Sequence, residues 1–471
     1  MQLHELTALE QGEGIRRGDF SALELTKHYL SRIERLNAVV GAFITVTSDM
    51  AIAQATAVDE LITKGEAPTD PLLGTVAPIK DLDLVAGVPC TFGSQAFEDF
   101  IAPVDADFVT RMRSSGLVMT GKTNTPEYGL PCYTENLVAP PARTPWDLAR
   151  SAGGSSGGAA AAVATGLASV AQGSDGGGSI RIPASVTGLV GIKPTRGRVG
   201  SAPLVESVGE LAVIGPLARN VADAAALLDT LTGGSPGDPF VLPQLPRGSF
   251  LSAARKMPKR LRVGRYCQPV LADTAVHPDC LAAYELATEL MVELGHDVVE
   301  IDRPFGPDAV AAFEAVWDGG VAALPLPPEA LSLMRPLTRW LWERGSQRTG
   351  ADVFRAVQRM REVSRSVIDS VYSCDVILTP ALAEPPVLVG ELREDQNPAA
   401  DFEAQKAFTP FTAVYNMTGQ PALTLPMMWN SAQLPIAVQL VGRPREESTI
   451  ISLAAQLESA RTPDPVHDLW H

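Results

Sequence analysis

Basic charge, cysteine and long hydrophobic runs are all scarce in this chain, and each scarcity removes a class of function. Lys and Arg number 38 against 54 Asp and Glu, giving a formal net charge of −16. Nucleic acids and anionic membrane surfaces demand a basic face, so neither is an expected partner. Cys90, Cys132, Cys267, Cys280 and Cys374 are odd in number, scattered, and form no C-x-x-C pair. A disulfide framework or structural zinc site is therefore not expected, no metal is invoked, and a reducing cytoplasm fits. The long uncharged run from Ser151 to Ser174 is mostly Gly, Ala and Ser, too weakly apolar to span a bilayer. Met1 to Leu6 carries neither a basic nor an apolar leader pattern, so a signal peptide is not expected and cytoplasmic location is.

Histidine is scarce too. The six histidines, His4, His28, His277, His296, His467 and His471, all lie far in sequence from the glycine-rich segments described below. A serine nucleophile normally needs a base to take its proton, so an ordinary Ser-His-Asp arrangement is disfavoured here.

What is present is a chain of 471 residues, 45% hydrophobic, long enough to bury a large core. Residues 21–38 predict an amphipathic helix, opened by a Ser21/Glu24 capping box. A second helix is expected over 51–64, ending at Gly65. Strands are expected at Val76–Ile79, Leu117–Thr120, Leu189–Ile192, Leu261–Gly264, Val298–Ile301 and Val376–Leu378. Helices are expected between them, at Asp107–Ser115, Gly158–Leu167, Val221–Leu231 and Cys280–Leu294. This alternation predicts an α/β fold with a largely parallel or mixed sheet under helices. Residues 305–370, with Trp317, Trp340 and Trp342, read as a helical insertion, and the Gly/Pro-rich stretch 233–239 as a loop.

Two glycine-rich segments carry the chemistry. Gly153-Gly154-Ser155-Ser156-Gly157-Gly158 is followed by Gly173-Ser174-Asp175-Gly176-Gly177-Gly178-Ser179-Ile180-Arg181. Consecutive glycines let a backbone turn tightly and aim several N–H groups at one point. That suits an oxyanion hole, and the N–H groups of Gly176, Gly177, Gly178 and Ser179 are its expected donors. A plain linker would not be bounded by an Ala-rich helix and an apolar strand. Neither segment ends in Gly-Lys-Ser/Thr, so a phosphate loop is not indicated. The base must come from elsewhere, and Lys80 in Pro78-Ile79-Lys80-Asp81 is a candidate: burial would lower its pKa and let it act neutral.

These segments closely resemble the amidase signature family. So do Gly121-Lys122-Thr123-Asn124-Thr125-Pro126-Glu127, Gly191-Ile192-Lys193-Pro194-Thr195-Arg196-Gly197-Arg198, Ile214-Gly215-Pro216-Leu217-Ala218-Arg219, Asn416-Met417-Thr418-Gly419-Gln420-Pro421 and the run Leu434 to Pro444. The resemblance is collinear over roughly residues 20–460 and weakest across 233–375. It implies a central mixed β-sheet of many strands with helices on both faces, in one large domain. Within it, 1–65 would form a helical layer, 66–232 the signature core, 233–375 a variable pocket-shaping region, and 376–471 the rest of the core. It implies Ser179 as nucleophile, Ser155 as bridging serine after a cis bond from Gly154, and Lys80 as general base. Ser156, Asp175 and Arg181 would support them, without a cofactor. Departures are Ala152, Ala159 and Thr144, where the family often has proline, serine and asparagine; these bear on loop geometry.

The implied activity is hydrolysis of an aryl, alkyl or carbamate-type amide through an acyl-enzyme, with esters as a side activity and a homodimer as the family's assembly. One alternative is the A subunit of a tRNA-dependent amidotransferase. Its Arg-Gln-Pro, Leu-Asp-Gln-Ile-Gly-Pro and Tyr-Asp-Gly-Val segments are absent: this chain has Arg181-Ile182-Pro183 and Leu211-Ala212-Val213-Ile214-Gly215-Pro216. The other is a silent binding protein on the same fold. Tyr128, Cys132 and Trp317, with Trp340 and Trp342, are either pocket lining or core.

Overall fold

The computed structural model describes residues 2–204, 209–327, 329–462 and 465–470. Near the N-terminus, the helix Ala22–Val40 starts where expected. Ser21 Oγ accepts the Glu24 N–H at 3.0 Å while the Glu24 carboxylate accepts the Ser21 N–H at 2.7 Å. The next helix, Ser48–Lys64, ends on Gly65 in a left-handed conformation (φ 72°), which glycine adopts without steric cost. These helices flank a small sheet of β1 (Phe43–Val46), β2 (Ile79–Lys80) and β3 (Gly121–Thr123), in the order β1-β3-β2. The strands expected at 76–79 and 117–120 are thus displaced towards their C-terminal ends. Val76 and Val118 retain only an isolated bridge, because the register slips by one residue before Ile79 pairs with Lys122.

The large sheet has eight strands in the order β4-β6-β5-β10-β11-β9-β7-β8. They are β4 (Ala171–Asp175), β5 (Val190–Lys193), β6 (Val213–Ala218), β7 (Arg262–Arg265), β8 (Asp297–Glu300), β9 (Val376–Pro380), β10 (Ala422–Trp429) and β11 (Pro435–Gly442). It is mixed but not largely parallel. All pairings from β4 to β9 are antiparallel, and only β9-β7 and β7-β8 are parallel. The short turn at Asn430–Leu434, closed by the Asn430 N–H on the Leu434 carbonyl (2.9 Å), can only join antiparallel neighbours.

Strand alternation covers both faces. Leu423, Leu425, Val438 and Leu440 join one cluster with the helices Val221–Leu231, Pro278–Glu293 and Glu447–Ala460. Ala422 and Val441 face a second cluster with the helices Pro307–Ala322 and Gly350–Val371. Among the described residues, no helix is long and apolar enough to cross a membrane.

Candidate active site

Three segments far apart in sequence meet between the two sheets. Lys80 ends β2, and its N–H donates to Gln172 Oε1 of β4 at 2.9 Å, fastening the small sheet to the large one. Strand alternation sends the next side chain, Asp81, the other way, where its Oδ1 accepts from Lys122 Nζ of β3 at 2.9 Å. Ser155 follows a cis peptide bond from Gly154 and precedes the helix Gly157–Ala164. That helix is buried on every side, and small residues let it pass between the sheets: a Cβ on Gly158 would lie 2.2 Å from the Asn124 nitrogen. Ser179 sits in the turn between β4 and the helix Arg181–Thr187.

Lys80 Nζ donates to Ser155 Oγ at 2.7 Å and to Ser174 Oγ at 3.1 Å, and reaches the Ser174 carbonyl at 3.5 Å. It is fully buried and forms no ion pair among the described residues. Burial pulls its pKa down to about 7, against the weaker upward pull of Asp83 and Asp175. Two other buried lysines define the contrast. Burial acts on Lys122 in the same sense, but the Asp81 carboxylate, together with Cys90, more than offsets it, and its pKa is raised. Lys193, also depressed by burial, donates to the Pro194 carbonyl at 3.1 Å and hydrogen-bonds to neither serine. Of the three, only Lys80 combines a depressed pKa with contact to a serine hydroxyl.

The Ser179 hydroxyl makes no hydrogen bond among the described residues, and the side chain opens, 7% exposed, on a cavity shared with Ser155 and Ser174. Ser156 ties the parts together. Its N–H donates to the Ser179 carbonyl at 3.1 Å, and its Oγ donates to the Ser174 carbonyl at 3.1 Å.

The glycine turn is held from behind by Asp175. Its carboxylate accepts from Arg181 Nη2 (2.8 Å) and Nε (2.9 Å), from Asn416 Nδ2 (2.9 Å) and from the Gly178 N–H (2.8 Å). Burial alone would raise the Asp175 pKa, but the Arg181 guanidinium holds it well below the usual carboxylate range. The expectation for Gly178 therefore needs correction. Its N–H is already donated to Asp175 and is not free for an oxyanion, whereas those of Gly176, Gly177 and Ser179 have no protein acceptor among the described residues. Arg181 is fully buried and also donates to the Thr412 carbonyl, Gln439 Oε1 and Asn416 Oδ1. Arg181→Met is expected to lower stability by about 3–5 kcal/mol, since it strands a buried carboxylate. Urea unfolding measures this, and a loss below about 1 kcal/mol would contradict the structural role.

Two cavities meet at Ser179. One, about 170 Å³, is lined by Ser155, Ser174, Tyr128, Leu211, Trp317 and Leu324 among others. The other, about 50 Å³, is lined by Cys132, Ile182, Leu271, Thr409 and Trp317 among others. Tyr128, Cys132 and Trp317 therefore all face the site, while Trp340 and Trp342 pack in a cluster with Phe402 and border neither cavity. A cavity of about 240 Å³ among Trp146, Trp429 and Trp470 contains none of the reactive groups, so size alone does not locate the site.

Comparison with known proteins decides the family. The amidase family model matches residues 24–451. The chain belongs to the amidase signature family. The 6-aminohexanoate-cyclic-dimer hydrolase of Paenarthrobacter ureafaciens is 35% identical over 483 aligned positions, covering 96% of this chain and 94% of that one. A solved structure of 6-aminohexanoate cyclic dimer hydrolase complexed with substrate superposes with a TM-score of 0.89 at 31% identity, covering 100% of both chains. A bacterial aryl acylamidase follows at a TM-score of 0.87 and 25% identity, covering 97% of this chain and 96% of that one. The protein is thus a hydrolase acting on amide C–N bonds.

In this amidase Ser174 is the residue that sequence reasoning missed. Its hydroxyl and carbonyl both face Lys80, yet nothing in the sequence but its place beside Asp175 marks it. The departures are absorbed locally: Ala152 and Ala159 are fully buried, and Thr144 Oγ1 donates to the Val186 carbonyl at 2.9 Å.

Proposed function

We propose that this amidase works through a Ser/Ser/Lys relay and an acyl-enzyme on Ser179. The observation that carries the reading is Lys80: a buried amine without an ion pair among the described residues, 2.7 Å from Ser155. Neutral Lys80 takes the proton of Ser155, which takes that of Ser179 as Ser179 Oγ adds to the amide carbonyl carbon. The negative oxygen is met by the N–H groups of Gly176, Gly177 and Ser179. When the C–N bond breaks, the relay returns the proton to the departing nitrogen. Water then adds to the acyl-enzyme by the same route, releasing the carboxylic acid and restoring Ser179. The chain, the substrate and water supply every proton and electron pair in this sequence.

The substrates are carboxylic amides of aryl, alkyl or carbamate type, consistent with the mostly apolar walls at Ser179 and with relatives named for cyclic-dimer and aryl acylamide hydrolysis. The test is amine release by the purified chain from a panel of aliphatic amides, benzamide, acetanilides, carbamates and glutamine. Turnover of several organic amides is expected; activity on glutamine alone would favour an amidotransferase subunit. The pH profile follows from Lys80, because its deprotonated form is the active one. With a pKa of about 7, kcat/KM should fall about tenfold per pH unit below 7 and level off above it. A flat profile between pH 5 and 8 would exclude Lys80 as the titrating base.

A further inference from the structure

We infer that the two cavities at Ser179 divide the substrate, the amine portion in the wider one and the acyl portion in the narrower, so that the enzyme favours short acyl groups on bulky apolar amines. This rests on the relay proposed above. For the C–N bond to break, the nitrogen must take a proton from Ser155, so it must lie within about 3.2 Å of Ser155 Oγ. Ser155 lines only the wider cavity. The carbonyl oxygen is claimed by the N–H groups of the glycine turn. The third substituent of the carbonyl carbon, the acyl chain, is left to point towards Ile182, Leu271 and Thr409.

Size and lining make this division selective. The narrower cavity, about 50 Å³, holds roughly four water-sized groups, and the wider, about 170 Å³, roughly a dozen. Leu211, Val316, Leu324 and Trp317 wall the wider one, and among the described residues no charged side chain lines it. The narrower one includes Lys406, but Glu314 and Glu403 each pair with its Nζ at 2.7 Å. Among the described residues, neither side therefore offers an unpaired charge to an ionic substrate. Trp317 sets the boundary. It borders both cavities, stacks on Phe313 (5.4 Å between centroids), and stands 3.5 Å from where a Cβ on Gly176 would be.

The experiment uses two isomers of equal composition, N-hexylacetamide and N-methylheptanamide, which differ only in which side of the amide carries the chain. kcat/KM is expected to favour N-hexylacetamide by about tenfold or more, the scale on which a pocket rejects extra methylenes. Leu271→Ala should narrow the ratio by admitting the heptanoyl chain, and Leu324→Trp by excluding the hexylamine. Ratios within one enzyme do not depend on the fraction folded. A smaller preference, parity or inversion in the unmodified enzyme overturns the division, as does failure of both isomers alongside turnover of other amides. Failure of every amide would overturn the relay reading as well.

Discussion

Ser179→Ala is expected to lower kcat on any amide substrate by a factor on the order of 10⁵–10⁶, leaving only the residue of rate that oxyanion donors and binding supply. Stability should hardly change, because the Ser179 hydroxyl makes no hydrogen bond among the described residues and the backbone carbonyl that anchors Ser156 is retained. The variant should bind substrate with near-normal affinity and form no acyl-enzyme adduct by mass spectrometry of the intact protein. Turnover within about tenfold of the unmodified enzyme, with the fold verified by circular dichroism, would remove Ser179 from the nucleophile's role. Ser156→Ala makes a useful contrast. It deletes a hydroxyl that donates to the Ser174 carbonyl and so should cost far less activity.

Lys80→Met should lower kcat/KM about 10³-fold at pH 8, within the range for losing a general base, and flatten the pH profile. It should also act on stability with a defined sign. The pKa of Lys80 falls from the ordinary 10.5 to about 7 on folding, so the folded state binds fewer protons than the unfolded one between those values. The ionisation-linked cost of burying the amine is then present in full below pH 7, falls as pH rises, and vanishes above about 10.5. The methionine variant should therefore be more stable than the unmodified enzyme at pH 6, with the difference shrinking towards pH 10. Urea unfolding at pH 6 and at pH 9.5 measures this. An unchanged difference would mean that Lys80 is not held neutral, and undiminished turnover would mean that it is not the base.

The helices around Ser21 and Gly65 were legible because their caps are local: a Ser/Glu pair three residues apart and a glycine where the chain turns left-handed. β4 was not. Its sequence, Ala171-Gln172-Gly173-Ser174-Asp175, lacks the β-branched and aromatic residues that mark strands, and it is a strand because β6 pairs with it along its length. The same override explains the sheet's direction. Strand–helix alternation predicts a largely parallel or mixed sheet, and the sheet is mixed: pairing partners met only in the folded chain decide that β4 to β9 run antiparallel and β9-β7-β8 parallel.

The sequence by itself determined the family and the amide-hydrolase class, because those rest on collinear motifs whose glycines and serines are set by local backbone demands. It also singled out Lys80, Ser155 and Ser179. Tertiary structure decided what each group faces. It fastened Lys80 beside β4, brought Ser174 against its amine, engaged the Gly178 N–H with Asp175, and set Trp317 between two unequal cavities. Apart from the local Gly178–Asp175 bond, these are contacts between segments far apart in the chain, 92 residues for Lys80 and Gln172 and 94 for Lys80 and Ser174. Burial and hydrogen-bond satisfaction select them in the packed interior, where spacing along the chain no longer measures distance.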